Sequence, residues 1–357
     1  MLIKDTKNDI YKEISVSINF TFDAVKPYLS NEGTDFIKNV LGTSLYNQLD
    51  AAYDDAGTLD LLAEKWRVLL PLCQRPLVYY AYLQYLPFGD VNVSDGGITV
   101  RTGESFAPAS AQRVQNLKNA LEEIAYSSLE KLLKFLYANA AVYNWDPSKH
   151  IITLVSFSNQ LNEHTNTSIS VKTFNKMKSS IRIVEENTVR NLIFPELYDK
   201  IKEQVQDNLF DDVEPYDWED SGSGSASGSG SGEDENIANH KILLDMLRPG
   251  IANLALAQAV HTHRIDISNT GISEIFASDR NRDVINASSP ARNEVLASVV
   301  NQLVEIGNMY LKRAKDYLIE HADDFPLYEN SEEYNVDETV EDSVFDNDED
   351  LKYFSFT

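Results

Sequence analysis

Cysteine is nearly missing from this chain. Cys73 stands alone among 357 residues, so no intrachain disulfide can form and a reducing compartment is expected. No apolar run reaches the roughly 18 residues that a membrane-spanning helix needs, and no membrane partner is expected. The opening MLIKDTKNDIYKE is too polar for a secretory signal peptide. Basic side chains are few, 31 Lys and Arg against 56 Asp and Glu. Gripping nucleic-acid phosphates takes Lys and Arg, so this chain is a poor candidate for specific binding of DNA.

Signatures of chemistry are scarce as well. SDGGI (Ser94 to Ile98) lacks the GxxxxGK[ST] pattern of a phosphate loop, and its glycines read as turn residues. Cys73 lies in the apolar stretch LLPLCQRPL and reads as a buried structural thiol; a nucleophile wants a base and an electropositive pocket. His261 and His263 could share a metal, yet no carboxylate or cysteine cluster stands at a matching spacing. DVEPYDWED and DNDED lack the spaced ligands and central glycine of a calcium loop. Tyr79, Tyr80, Tyr82 and Tyr85 crowd one apolar helix without interleaved Lys or Arg, which reads as packing rather than base stacking. No catalytic, cofactor-binding or metal-binding residue is assigned, and the expectation is a protein that is not an enzyme and carries no cofactor.

What the chain does have is a concentrated charge. Residues 207–235 hold ten acidic and no basic side chains, and residues 329–350 hold eleven and none. Without them the body carries 35 acidic against 31 basic residues, an ordinary balance for a folded protein. The two acidic segments cannot bury enough apolar surface to fold alone and read as disordered. With 43% hydrophobic residues, the remainder can build real cores.

It also has an internal repeat. At a spacing of 152, Phe22 meets Phe174, Lys26 meets Lys178, Asn39 meets Asn191, Leu45 meets Leu197 and Tyr46 meets Tyr198. At 174, VNVSDGGI (Val91 to Ile98) meets IDISNTGI (Ile265 to Ile272), and Leu69 and Leu70 meet Leu243 and Leu244. At 182, Pro108, Leu121, Ile124, Leu129 and Leu136 meet Pro290, Leu303, Ile306, Leu311 and Leu318. Two insertions in the second copy account for the drift, and the first contains the Gly/Ser run Ser221 to Gly232. That run is therefore expected in a loop within the second copy rather than at a domain boundary.

The expected fold is mainly α: two tandem divergent helical repeats, each with a β-hairpin or extended arm, plus the acidic segments. The boundaries are an N-terminal arm at 1–13, repeat 1 at 14–148, a connector at 149–164, and repeat 2 at 165–328 with its inserted loop near 207–236. An acidic tail at 329–357 ends in an aromatic segment. Helical spacing predicts one helix over 34–53 and its counterpart over 185–208. It predicts a long apolar stretch over 59–86 that Pro71 and Pro76 kink or divide, answered by a helix over 237–261. An amphipathic helix of about thirty residues opens at Pro108, with Val114, Leu117, Leu121, Ile124, Ser128, Leu132 and Phe135 on one face. His150 to Phe157 reads as a strand or connector, and the second hairpin, Ile265 to about Ile285, as the longer of the two.

LYNQL, VNVSDGGI and PASAQR resemble a poorly characterised family of phage and prophage proteins of gut bacteria. In length and helical order the pattern is similar to the helical head–tail connector (adaptor) proteins of tailed bacteriophages. This resemblance implies a virion protein of the neck, assembled in the host cytoplasm. It would self-associate into a ring beneath the portal, bind portal and tail proteins, and let DNA through. The chain departs from the connectors in carrying two copies and a Gly/Ser insertion, which leaves the subunit number open. The residues expected to meet partners are Val91, Val93, Ile98, Ile265, Ile267 and Ile272 on the arms. Tyr353, Phe354 and Phe356, at the end of an acidic tether, suit a groove or a sheet edge. The competing reading is a cytoplasmic scaffolding or regulatory module whose acidic tail captures a basic partner.

Overall fold

A computed structural model describes residues 1–4, 9–14, 22–89, 91–94, 97–100, 111–147, 153–206, 233–263, 265–268, 271–274 and 290–331. These residues are mainly helical and divide into two compact units. The described residues up to Pro147 belong to the first, and those from Thr153 onward to the second. The two acidic segments lie outside the described residues for the most part. The second unit reaches beyond the expected boundary at 328, however: Ser331 is buried in it.

In the first unit, α1 (Phe22–Tyr28) passes through a π-helical turn at Leu29–Gly33 into α2 (Thr34–Leu41), followed by α3 (Thr43–Ala56) and α4 (Glu64–Gly89). Strands β1 (Val91–Ser94) and β2 (Gly97–Val100) pair antiparallel, with Val91 opposite Val100 and Val93 opposite Ile98. Helices α5 (Ala111–Ala138) and α6 (Ala140–Tyr143) close the unit. Packing between α4 and α5 forms its spine. Leu69, Leu70, Cys73, Leu77 and Ala81 of α4 and Ala125, Leu132 and Leu136 of α5 are wholly buried.

The second unit repeats this order. A segment from Thr153 leads into α7 (Ser158–Thr165) and α8 (Val171–Val184). A π turn at Glu185–Val189 then runs into α9 (Arg190–Leu192) and α10 (Pro195–Gln206). Beyond come α11 (Glu233–His263), β3 (Ile265–Ser268), β4 (Gly271–Glu274), α12 (Pro290–Glu320) and α13 (Pro326–Glu329). The ribbon pairs Ile265 with Glu274 and Ile267 with Ile272. The rest of the expected second hairpin, from 275 to about Ile285, lies outside the described residues. The Gly/Ser run lies between α10 and α11, two helices of the same unit.

Several expectations need correction. Neither of the helices expected over 34–53 and 185–208 is single. Gly42 breaks the first at φ +76° and Phe194 breaks the second at φ +75°, 152 residues on. Glycine takes that conformation freely, whereas phenylalanine adopts it at a cost, so the break belongs to the fold rather than to local propensity. Prolines 71, 76 and 87 do not divide α4. Each removes one backbone hydrogen bond, about 3 kcal/mol in an isolated helix, and the buried face of α4 outweighs that loss. Leu117 was expected on the apolar face of α5 but is 44% exposed; the buried row runs through Leu121, Ala125, Ser128 and Leu132 instead. The described part of α5 begins at Ala111, and Pro108 lies outside the described residues. Helix α11 starts at Glu233, so the expected loop end at 236 is already helical.

The two segments read as an arm and a connector also differ from expectation. Thr153 to Phe157 forms no strand. It lies buried, with Leu154 and Val155 wholly inside. Leu2 and Ile3, 152 residues earlier, are wholly buried too. Both segments are lead-ins to their units and parts of the cores.

Candidate functional site

Each unit seats its lead-in segment against its long apolar helix through buried polar contacts. In the first unit, Gln74 of α4 donates Nε2–H to the Leu2 carbonyl at 2.9 Å. In the second, Arg248 of α11 donates Nε–H to the Leu154 carbonyl at 3.0 Å. Gln74 and Arg248 are 174 apart, the spacing that relates VNVSDGGI to IDISNTGI, while Leu2 and Leu154 are 152 apart. Both donors are buried, so each bond satisfies a carbonyl that has lost water.

A carboxylate lies beside each seat. Asp9 is buried and accepts from the Lys4 N–H at 2.6 Å, from the Tyr53 hydroxyl at 2.9 Å and from Gln74 at 3.3 Å. A polar cavity of about 310 Å³ opens here, lined among others by Lys4, Asp9, Tyr53 and Gln74. In the second unit Glu185, wholly buried, accepts from the Leu154 N–H at 2.6 Å and from the Tyr198 hydroxyl at 3.2 Å. Burial raises its pKa to about 8, against the opposing pull of the Leu154 N–H and Lys202. At the matching position of the first unit stands Gly33, with no side chain, and Tyr46 reaches the Thr34 hydroxyl at 3.5 Å. Each seat thus has a buried carboxyl, supplied from different positions of the repeat: Asp9 within the lead-in itself and Glu185 where the first unit has Gly33.

The ends of the long helices carry a second matched feature. Tyr143 sits 6.1 Å from Trp66 and 5.7 Å from Phe135, ring centre to ring centre. Phe325 sits 5.8 Å from His240 and 6.2 Å from Tyr317. The paired residues are 174 or 182 apart, the spacings of the repeat. Asn139 Nδ2 donates to the Phe135 carbonyl at 2.9 Å, and His321 Nδ1 meets the Tyr317 carbonyl at 3.0 Å. His240, where the first unit has Trp66, also meets Gln204 Oε1 at 2.7 Å. Desolvation lowers its pKa to about 4, with help from the Lys200 charge, so it stays neutral.

This matched geometry has a counterpart in comparison with known proteins. A family of unknown function, DUF6712, matches residues 37–152 and again residues 189–338. The chain belongs to that family. The two matches begin 152 residues apart, at Ile37 and Val189, the spacing of the two lead-in segments. Among curated proteins and among solved structures, nothing matches the chain.

The expected site residues fall in two groups. Val91, Val93, Ile98, Ile265, Ile267 and Ile272 lie on the two ribbons. By register, Val91 is opposite Val100 and Val93 opposite Ile98 in the first, and Ile265 is opposite Glu274 and Ile267 opposite Ile272 in the second. Tyr353, Phe354 and Phe356 lie outside the described residues. Among the described residues no group of three His, Cys, Asp or Glu could hold a metal ion, and no helix is long and apolar enough to cross a membrane. Cys73 is buried, and desolvation pushes its thiol pKa up. Tyr79 is buried and donates to the Glu13 carbonyl at 2.7 Å, while Tyr80 stacks on Phe36 at 4.1 Å.

Sequence reasoning missed the seat itself: Gln74, Asp9, Glu185 and Arg248. The signal was available, because Leu2–Ile3 and Leu154–Val155 obey the spacing that aligns LYNQL with LYDKI.

Proposed function

We propose that the chain is a structural virion protein, a duplicated helical head–tail connector that forms a ring between portal and tail and lets DNA pass. Its two units are tandem divergent copies of one helical repeat, each with a hairpin arm. The matched lead-in seats, the matched breaks at Gly42 and Phe194 and the matched ring clusters support the duplication.

The observation that carries the assembly reading is the pair of ribbons. Each is two-stranded, with no third strand among the described residues, and each occupies the connection between the two longest helices of its unit. A lone hairpin is marginal in water, and the unpaired backbone of an edge strand is a template for another chain. The ribbon sequences are rich in aliphatic residues, Val91, Val93, Ile98 and Val100 in the first and Ile265, Ile267 and Ile272 in the second, which suits such a contact. A body of near-balanced charge gives a ring little hold on passing phosphates.

The test is native mass spectrometry and negative-stain imaging of the purified chain, alone and mixed with the portal protein of the same virus. A ring-sized oligomer, or a complex with the portal, is the expected result. A monomer that also leaves portal and tail proteins unbound overturns the reading.

A further inference from the structure

Helix α8 concentrates the charge that the rest of the chain has least of. Lys172, Lys176, Lys178 and Arg182 lie on it with no Asp or Glu, and no other described helix of eight or more residues lacks a carboxylate. Phe174, Met177, Ile181 and Val184 bury its other side. Every residue of α8 that is not buried is Lys, Arg, Asn, Ser or Ile, so its solvent arc is basic or neutral throughout. This arrangement works against the helix itself. Lys172 and Lys176, and again Lys178 and Arg182, are like charges four residues apart, and such pairs destabilise a helix. Lys172 also sits in the first turn, where the helix dipole disfavours a cation. Nothing in the repeat requires it: 152 residues earlier stand Phe20, Ala24, Lys26 and Ser30, with one cation among them. The first carboxylates beyond the helix are engaged elsewhere. Glu185 is buried and holds the Leu154 N–H and the Tyr198 hydroxyl, and Glu186 pairs with Arg190 and Lys202.

We propose that this arc of α8 is a docking surface for the phosphate backbone of duplex DNA, held without regard to sequence. From Lys172 to Arg182 the helix rises about 15 Å, over which one strand of a duplex presents about four phosphates. Four cations thus meet a row of opposite charges of matching length, and Asn175, on the same arc, can donate to a phosphate oxygen as well. A protein partner would ask for something else. Stable protein interfaces centre on buried aromatic or apolar anchors, and the arc offers Ile183 alone. The chain's formal net charge of −25 limits the hold to direct contact, because exposed charges are screened beyond about 8 Å at physiological salt. Such a hold is weak and carries no sequence information, so a duplex can slide along it.

This inference goes beyond the connector reading and needs neither ring nor portal. Its test is fluorescence anisotropy of a labelled duplex of about 20 base pairs with the full chain, between about 50 and 200 mM salt. The expected slope of log K against log salt is about −3.6, for four phosphates. Lys176→Gln with Arg182→Gln, both exposed, should bring the slope to about −1.8. The same variant should leave the melting temperature unchanged or slightly higher, because each substitution removes one like-charge pair; residues needed for the fold would lower it. Arg67→Gln with Lys131→Gln, exposed in the first unit, removes the same charge and should leave the slope as it was. No binding at the lowest salt, a slope unmoved by the α8 variant, or one moved equally by the control overturns the proposal. So does polyglutamate bound at the arc where the duplex is not, which would make the partner an acidic protein. A monomer that binds the duplex through α8 keeps this surface and removes the ring. A ring that ignores the duplex removes this surface and leaves the connector.

Discussion

At the scale of single residues, the two units differ at matched positions: Glu185 stands where the first unit has Gly33, and His240 where it has Trp66. Glu185 keeps its proton to about pH 8 in the folded unit, against an ordinary value of 4.5. Its contribution to stability is therefore complete below pH 4.5 and is lost as pH rises through 8. His240 is neutral in the fold down to about pH 4, against an ordinary 6.5, so its contribution is present above 6.5 and lost as pH falls through 4. Between pH 4.5 and 6.5 the two slopes oppose each other, and above 6.5 only Glu185 acts. Urea unfolding of the second unit should be less stable at pH 8 than at pH 6 by a few kcal/mol at most, and Glu185→Gln should flatten that difference. An equal pH dependence in Glu185→Gln would show that another group is responsible. Gly42 offers a purely conformational test. A Cβ there meets nothing within 4 Å, so Gly42→Ala should cost about 1–3 kcal/mol through its backbone conformation alone, φ +76° with ψ 155°, read as a lower melting temperature. Tyr46 and Tyr198 were visible in the sequence as a matched pair. Their unlike neighbours, Thr34 and Glu185, were not, because contacts across a core leave no periodic trace.

At the scale of elements, periodicity located the long helices and missed their breaks. Apolar spacing reports the face a helix buries, and it continued across Gly42 and Phe194 because both sides of each break bury residues in the same core. The prolines of α4 misled for the opposite reason: their local cost is real, yet tertiary packing outweighs it. Helix crossings were equally illegible. In the second unit α11 and α12 approach so closely that a Cβ on Gly307 would lie 2.7 Å from Leu254, and one on Gly250 would lie 2.6 Å from Leu311. In the first unit the matching positions are Ala125 and Pro76, so that spine tolerates larger residues. Gly307→Ala should therefore destabilise by about 1–3 kcal/mol through overpacking, although alanine is the better helix former by about 1 kcal/mol. Ala125→Gly in the first unit should cost about 1–2 kcal/mol, the propensity difference plus the lost burial of one methyl group. Thermal melts of the two variants decide it: a stabilised Gly307→Ala would mean that the helices move apart at little cost.

At the scale of the whole molecule, the Gly/Ser run resembles a linker between fused proteins, and the repeat spacing placed it inside one. Helices α10 and α11, on either side of it, belong to one unit, and Gln204 of α10 meets His240 of α11 at 2.7 Å in a buried contact. Covalent continuity through residues 221–232 is then a matter of loop entropy, because the unit's contacts lie elsewhere. Closing a loop costs about (3/2)RT ln n, so deleting the run should raise stability by only about 0.5 kcal/mol. Cutting it should do little more harm. A protease site placed at 226, within SGSGSASGSGSG, should yield two fragments that stay together through size exclusion under native conditions and part only in denaturant. Glu185, in the N-terminal fragment, would keep its bond to Tyr198, and Arg248, in the C-terminal one, would still hold the Leu154 carbonyl across the cut. Fragments that separate in native buffer would instead make the run a true domain boundary, and the second unit two half-units that merely touch.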